Sequence, residues 1–310
     1  MESLPHYAVR VMARFRISRI TSLAAGIAIT VLLIACTPPD SAPGALPVGM
    51  RTAPVPSVDA NAYVYFKPPG HATFSSEALG VDGLTLQSAD FLLADDSDGV
   101  AARFITDPRD DESSLDGADG DGQGRWTDAD TTSLRVGPVS PWGDRVRSAW
   151  AREPSASFAT RYPDIWDDLQ SMPEAPPSPP IAAGFVRNFG PLLEHLIRKA
   201  DITVPNLTDG LSLVRVDNIA FVAYADDFSQ LPESLGPESL RDLDVSILAV
   251  ADSTYPALVV GRVFDGFVSA LKLSPVSIAD VTAYEREVSD GIHAVVLRDG
   301  TTLFFAIAPT

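Results

Sequence analysis

The stretch "TAYEREVSDGIHAVVLRDGTTLFFAIA", Thr282 to Ala308, decides the fold class. Three runs rich in branched and aromatic residues are separated by Ser289-Asp290-Gly291 and by Asp299-Gly300. Asp-Gly pairs supply the positive φ that tight hairpin turns require, so the three runs read as an antiparallel meander. Upstream, "LSLVRVDNIAFVAYADD" (Leu211–Asp227), "LDVSILAVAD" (Leu243–Asp252) and "ALVVGRVFD" (Ala257–Asp265) read as further strands, followed by a short helix "GFVSALKL" (Gly266–Leu273).

The same pattern extends toward the N-terminus. "NAYVYFK" (Asn61–Lys67) is a strand stopped by Pro68-Pro69-Gly70, and "ADFLLADD" and "GVAARFITD" form a hairpin across Asp96-Ser97-Asp98-Gly99. Helices are few. In "SASFATRYPDIWDDLQSM" (Ser155–Met172), Phe158, Tyr162, Ile165, Trp166 and Leu169 fall on one helical stripe, with Pro163 admissible in a first turn. "GPLLEHLIRKA" (Gly190–Ala200) reads as a second helix, and "IAAGFV" (Ile181–Val186) as the strand before it. Many sequential strands with few helices predict an α+β fold built on mainly antiparallel sheet. Laying Ala89–Asp107 on Val245–Asp265, or Leu84–Asp96 on Leu211–Asp227, suggests two related halves, spanning 58–171 and 181–310 and joined by the proline-rich connector 172–180.

The first residues obey different rules. Arg10, Arg14, Arg16 and Arg19 precede the uncharged run "LAAGIAITVLLIA", Leu23 to Ala35. That run is shorter than the roughly 20 residues a membrane-spanning helix needs, and a basic region followed by a short apolar one describes a secretory signal peptide, residues 1–35. Leu33-Ile34-Ala35-Cys36 resembles the bacterial lipobox, and the resemblance implies that Cys36, the sole cysteine of the 310-residue chain, receives a diacylglycerol and becomes the new N-terminus. Residues 36–57 show no core pattern: six prolines fall between Thr37 and Ser57, which reads as a semi-rigid tether reaching up to roughly 60 Å at about 3.1 Å per residue.

Charge excludes some partners. Formal net charge is −18; removing residues 1–35 takes away four arginines and Glu2, leaving 19 basic residues against 40 acidic, or −21. Lysine occurs only at 67, 199 and 272. Nucleic acid and polybasic membrane contact both need positive charge, so neither fits.

Candidate chemistry is sparse. The segment 107–124, dense in Asp and Gly, reads as a flexible insertion. Inside it begins "DGDGQGRWTDAD", a partial match to a twelve-residue calcium loop with Asp119, Asp121 and Asp130 at positions one, three and twelve and Gly124 at six. Gln123 at position five and Asp rather than Glu at twelve weaken it, and no other cofactor is expected. After cleavage His71, His195 and His293 remain, without metal-ligand spacing; His195 reads as solvated and His293 as a half-buried sheet residue. Ser269-Ala270-Leu271-Lys272 has the Ser-x-x-Lys spacing of penicillin-recognising enzymes but lacks their other motifs. Trp142, in "SPWGD", is the expected exposed aromatic contact, whereas Trp166 fits the helical stripe.

The order of "VPSVDANAYVYF", "REPSASFATRYPDIWDDLQSMPEAPPSPPIAAGFV", "LVVGRVFDGFVSAL" and "VSDGIHAVVLRDGTTLFFA" resembles a loose group of uncharacterised bacterial envelope proteins, over most of residues 55–308. The likeness implies an anchored domain and carries no activity. The expectation is therefore a lipoprotein on the extracytoplasmic face of a membrane, non-catalytic, binding an envelope protein or polymer. An anchored hydrolase with an acid pair hidden among forty carboxylates is the competing expectation, and a calcium-dependent adhesion module a lesser one.

Overall fold

The computed structural model describes residues 46–68, 70, 72–76, 81–93, 100–106, 123–127, 133–151, 156–172, 178–187, 216–225, 230–231, 245–270, 272–278, 281–289 and 291–309. The helix expected at Gly190–Ala200, with His195, lies outside these residues, as do His71, Cys36 and residues 107–122.

The strands are β1 (Ala62–Phe66), β2 (Ala72–Ser76), β3 (Val81–Leu93), β4 (Val100–Thr106), β5 (Gln123–Thr127), β6 (Ser133–Pro138), β7 (Pro180–Arg187), β8 (Val216–Tyr224), β9 (Gln230–Leu231), β10 (Ser246–Ser253), β11 (Ser274–Ile278), β12 (Val281–Ser289), β13 (Ile292–Asp299) and β14 (Thr302–Pro309). Among the described residues the helices are α1 (Pro141–Ala151), α2 (Phe158–Arg161), α3 (Pro163–Gln170) and α4 (Ala257–Ala270), with a 3-10 turn at Met50–Thr52. All fourteen strands among the described residues belong to one sheet, in the order β11-β12-β13-β14-β10-β8-β7-β1-β3-β4-β6-β5, with β2 on β3 and β9 on β2. Every pairing but β2–β9 is antiparallel, so the α+β, mainly antiparallel expectation holds.

The C-terminal meander forms as read. Gly291 (φ 71) and Gly300 (φ 59) sit in the left-handed region at its two turns, where a β-carbon would be strained. The centre of the sheet is dry on both sides, because the period-two side chains of β1 feed two different cores. Ala62, Val64 and Phe66 join one cluster, and Tyr63 and Tyr65 the other. Where β1 meets β7 the backbones are so close that a β-carbon on Gly184 would lie 2.0 Å from the Tyr63 carbonyl oxygen. α4 covers the first face through Val260 and Phe264, and α1 to α3 cover the second through Trp142, Val146, Trp150, Phe158, Ile165 and Leu169. The helical stripe predicted for Ser155–Met172 forms, broken at Tyr162 (φ −130, ψ 64) because Pro163 takes the first position of α3.

Three expectations are corrected. "ALVVGRVFD" is not a strand: it is the first part of α4, which runs on through the residues read as a short helix. Val260, Phe264, Phe267 and Val268 repeat at helical spacing and bury against the sheet, and this outweighs the β propensity of the local valines. Strand and helix thus stand where the alignment of Ala89–Asp107 on Val245–Asp265 needs two strands.

The tether expected over 36–57 does not include residues 46–57. Met50, Ala53, Val55 and Val58 are buried in the second cluster, with Leu46 packed against it. The Phe158 amide donates to the Ala53 carbonyl at 2.9 Å, the Val55 amide donates to the Ala156 carbonyl at 3.3 Å, and Pro54 bridges to Ser157. Proline density read as a stalk is here a strap laid across the domain, residues 46–57. The stretch expected as a tether is therefore no longer than residues 36–45, which lie outside the described residues.

The acidic insertion also ends earlier than 124, since Gln123 and Gly124 begin β5 and pair with Pro138 and Gly137 of β6.

Candidate functional site

Asp90 interrupts the apolar run of β3, and Arg103 interrupts that of β4. The β3–β4 hairpin register places them directly opposite one another. Arg103 Nε donates to Asp90 Oδ2 at 2.8 Å and Nη2 donates to the same oxygen. From β1, the Tyr63 hydroxyl donates to Asp90 Oδ1 at 2.5 Å. Asp90 is 2% exposed and Arg103 11%.

The cluster also holds the strap. Arg103 Nη2 donates to the Pro54 carbonyl at 3.3 Å, and its guanidinium lies 5.8 Å from the centre of the Trp150 ring of α1. Burial, with the Asp90 carboxylate beside it, pushes the Tyr63 hydroxyl well above the usual tyrosine range. Both carboxylate oxygens are taken by internal donors, so Asp90 is sealed from substrate and water. What this arrangement does chemically is fix three strands and the strap in one register; it does not present an acid, base or nucleophile.

Around Tyr63 the second core is aromatic: Phe158 lies 5.3 Å from its ring, and Tyr162 packs edge-on to Phe185 at 4.5 Å. The Arg187 guanidinium lies over Tyr162 and Phe185 at 5.0 and 5.1 Å.

A second group of polar residues lies at the edge of this layer. Asp168 of α3 is only part-buried, yet its carboxyl is raised to about 6, first by burial and then by repulsion from Asp252, Asp164 and Asp167. Asp252, at the end of β10, accepts a hydrogen bond from Thr302 Oγ1 at 2.5 Å. This cluster was invisible in the sequence, because α3 and β10 are eighty residues apart and only the sheet brings them together.

The sequence-nominated residues fare differently. Trp142 is not an exposed contact: it is 6% exposed, and its Nε1 donates to the Asp59 carbonyl at 3.1 Å. The reason is that Trp142 belongs to α1, whose start is capped by Ser140 Oγ accepting the Gly143 amide at 3.1 Å. Trp166 is half-buried against the second core. Asp119, Asp121 and Asp130 lie outside the described residues, but the middle of their loop does not have a calcium-loop shape. Gly124, where the sharp turn is required, stands inside β5, with Gln123 to Thr127 continuously paired to β6. Among the described residues no group of three or more His, Cys, Asp or Glu could hold a metal ion. His293 is half-buried in β13. Ser269 lies on an exposed turn at the end of α4 and Lys272 on the left-handed residue after it (φ 53), where the Lys272 amide donates to the Ser269 carbonyl at 3.1 Å. No helix among the described residues is long and apolar enough to cross a membrane.

No protein-family model matches the chain, and neither does any curated protein sequence. A solved structure described as "Structure of crystal form I of TP0453" is similar at 11% identity over 86% of this chain and 93% of that one, with a TM-score of 0.39. At that level of superposition the likeness assigns neither fold nor function.

Proposed function

We propose that this protein is a lipid-anchored, extracytoplasmic binding protein, attached through a diacylglycerol on Cys36 and engaging an envelope protein or polymer without catalysing a reaction. The observation that carries the reading is Leu33-Ile34-Ala35-Cys36 at the end of a thirteen-residue apolar run behind a basic region. One acyl chain holds a protein only marginally, and two or three make a lasting anchor, so modification at a new N-terminal cysteine suits permanent attachment. The binding reading is favoured over catalysis by the internal use of the chain's best-organised polar group, Tyr63–Asp90–Arg103, as a fastener.

Two related halves are part of the proposal. Reading outward from the β7–β1 pair, β8 and β10 follow on one side as β3 and β4 do on the other. That order supports matching Leu84–Asp96 with Leu211–Asp227, which fall on β3 and β8. Metabolic labelling with a fatty-acid analogue tests the anchor: the wild type takes up label and Cys36→Ser does not. Label in the variant, or in neither, refutes it. Cross-linking in intact cells followed by capture of the mature domain then identifies the partner.

A hydrolytic reading has one observation in its favour, the raised carboxyl of Asp168 near Asp252, since a general acid works best with a pKa close to ambient pH. Hydrolysis of envelope glycans or esters that is abolished by Asp168→Asn would replace the binding reading with this one.

A further inference from the structure

We infer that the strap end of the domain, with Val48 and Arg51 foremost, rests against the lipid surface, and that the opposite end of the sheet faces away from it. This rests on the lipid-anchor reading of Cys36. The chain leaves the described fold at Leu46, ten residues from Cys36, so about 36 Å, at ~3.6 Å per fully extended residue, is the greatest separation that length of chain allows. Where it leaves is fixed by contacts. The Tyr65 hydroxyl donates to the Val48 carbonyl at 3.1 Å, and Leu46 packs against the second core.

Tyr65 is level with Ala183, Val222 and Leu248 across β7, β8 and β10. From Leu248, β10 runs five residues further to Ser253, about 17 Å at ~3.3 Å per residue, before α4 begins. The Arg298 guanidinium bonds to the carbonyls of Ala257 and Gly300, which fixes the start of α4 beside the far hairpin turn. Val48 and Leu258 therefore lie on opposite faces of the sheet and toward opposite ends of its strands.

The chemistry of the strap suits a bilayer. Val48 is an apolar side chain left 79% exposed. Arg51 is exposed and is the sole charged residue of 46–57, in a protein whose mature chain carries −21. The strap is thus a stretch of this acidic chain that anionic headgroups do not repel, and one that offers them a guanidinium.

With Cys36 acylated, Val48→Cys or Leu258→Cys introduces one free thiol for a fluorophore, and both sites are exposed enough to leave the fold intact. The full-length exported protein, labelled at either position, is reconstituted into phosphatidylcholine and phosphatidylglycerol vesicles containing nitroxide-labelled lipid. Quenching several-fold stronger at position 48 than at 258 is expected, and Arg51→Glu should weaken it in phosphatidylglycerol vesicles but not in pure phosphatidylcholine. Equal quenching, or stronger quenching at 258, on protein whose Cys36 is shown by mass spectrometry to be acylated overturns the orientation and leaves the anchor standing. An unmodified Cys36 removes the anchor, and the orientation with it.

Discussion

Removing Arg103 should be far more damaging than removing Arg103 and Asp90 together. In Arg103→Met the Asp90 carboxylate stays 2% exposed with no cation, the Pro54 carbonyl loses its donor, and Trp150 loses the guanidinium beside it. Stranding a buried charge in this way costs about 3 to 5 kcal/mol. A domain is stable by only about 5 to 15 kcal/mol, so the variant should unfold at a clearly lower urea concentration, roughly 60% of the wild-type midpoint for a loss of about 4 from about 10 kcal/mol. Asp90→Leu strands the guanidinium instead and leaves the Tyr63 hydroxyl without its acceptor, at comparable cost. In Asp90→Leu/Arg103→Met neither charge remains to be desolvated, and apolar replacement of a buried pair is often close to neutral, leaving chiefly the Tyr63 hydroxyl at about 1 to 3 kcal/mol. Equilibrium urea unfolding followed by tryptophan fluorescence, with Trp142 and Trp150 as buried reporters, gives all four corners of the cycle. A coupling of about 2 kcal/mol or more is expected. Single variants costing under about 1 kcal/mol each, or a double variant equal to their sum, would refute the claim that this is a sealed, interdependent cluster.

Three further outcomes follow from the same structure. Deleting residues 36–45 should leave urea stability unchanged, whereas deleting 36–57 removes the buried Met50 and Val55 and should cost about 3 to 6 kcal/mol at roughly 1.5–3 kcal/mol per side chain; equal stability of the two truncations would mean the strap is not part of the fold. Asp168 holds its proton in the folded state up to about pH 6 but releases it near 4 when unfolded, so its contribution is full below pH 4 and lost as pH rises through 6. Because Asp168 is half open to water, Asp168→Asn should add only about 1 kcal/mol at pH 7 and flatten the pH dependence between 4 and 6, as read by urea midpoints across that range. For Tyr63 the neutral form is favoured in the folded state, so stability is full below pH 10 and falls above it by about 1.4 kcal/mol per pH unit; Tyr63→Phe should make the alkaline limb less steep, with Tyr65, Tyr162 and Tyr224, shifted the same way, accounting for the remainder.

The parts of the fold that could be read from sequence are those where local and long-range forces agree. In β12 to β14 the period-two apolar pattern, the branched residues and the Asp-Gly turns all specify the same hairpins. In α4 they disagree: Leu258, Val259 and Val260 favour a strand locally, while the four- and seven-residue spacing from Val260 to Phe264 and Phe267 matters only once a sheet lies beneath. For Trp142 a signal is present, since Ser140, Pro141 and Asp144 form a helix start, and an aromatic in a helix's first turn can be drawn into the core. The central cluster was also within reach. The hairpin that pairs Leu93 with Val100 necessarily pairs Asp90 with Arg103, an acid and a base in otherwise apolar strands. Tyr63 and Pro54 were not, because nothing local says that β1 lies beside β3 or that the strap crosses both.

Proline content misleads in the strap for a reason that bears on how the strap stays on the core. Prolines 47, 54 and 56 remove backbone donors that a buried irregular segment would otherwise have to satisfy, so this composition permits a segment to lie flat on a core without joining the sheet. The carbonyls that remain are met individually: Ala53 by the Phe158 amide, Pro54 by Arg103, Val48 by Tyr65. Each of those partners is itself fixed within the second core or the Asp90 cluster, so a pull applied at Leu46 is transmitted to the centre of the sheet.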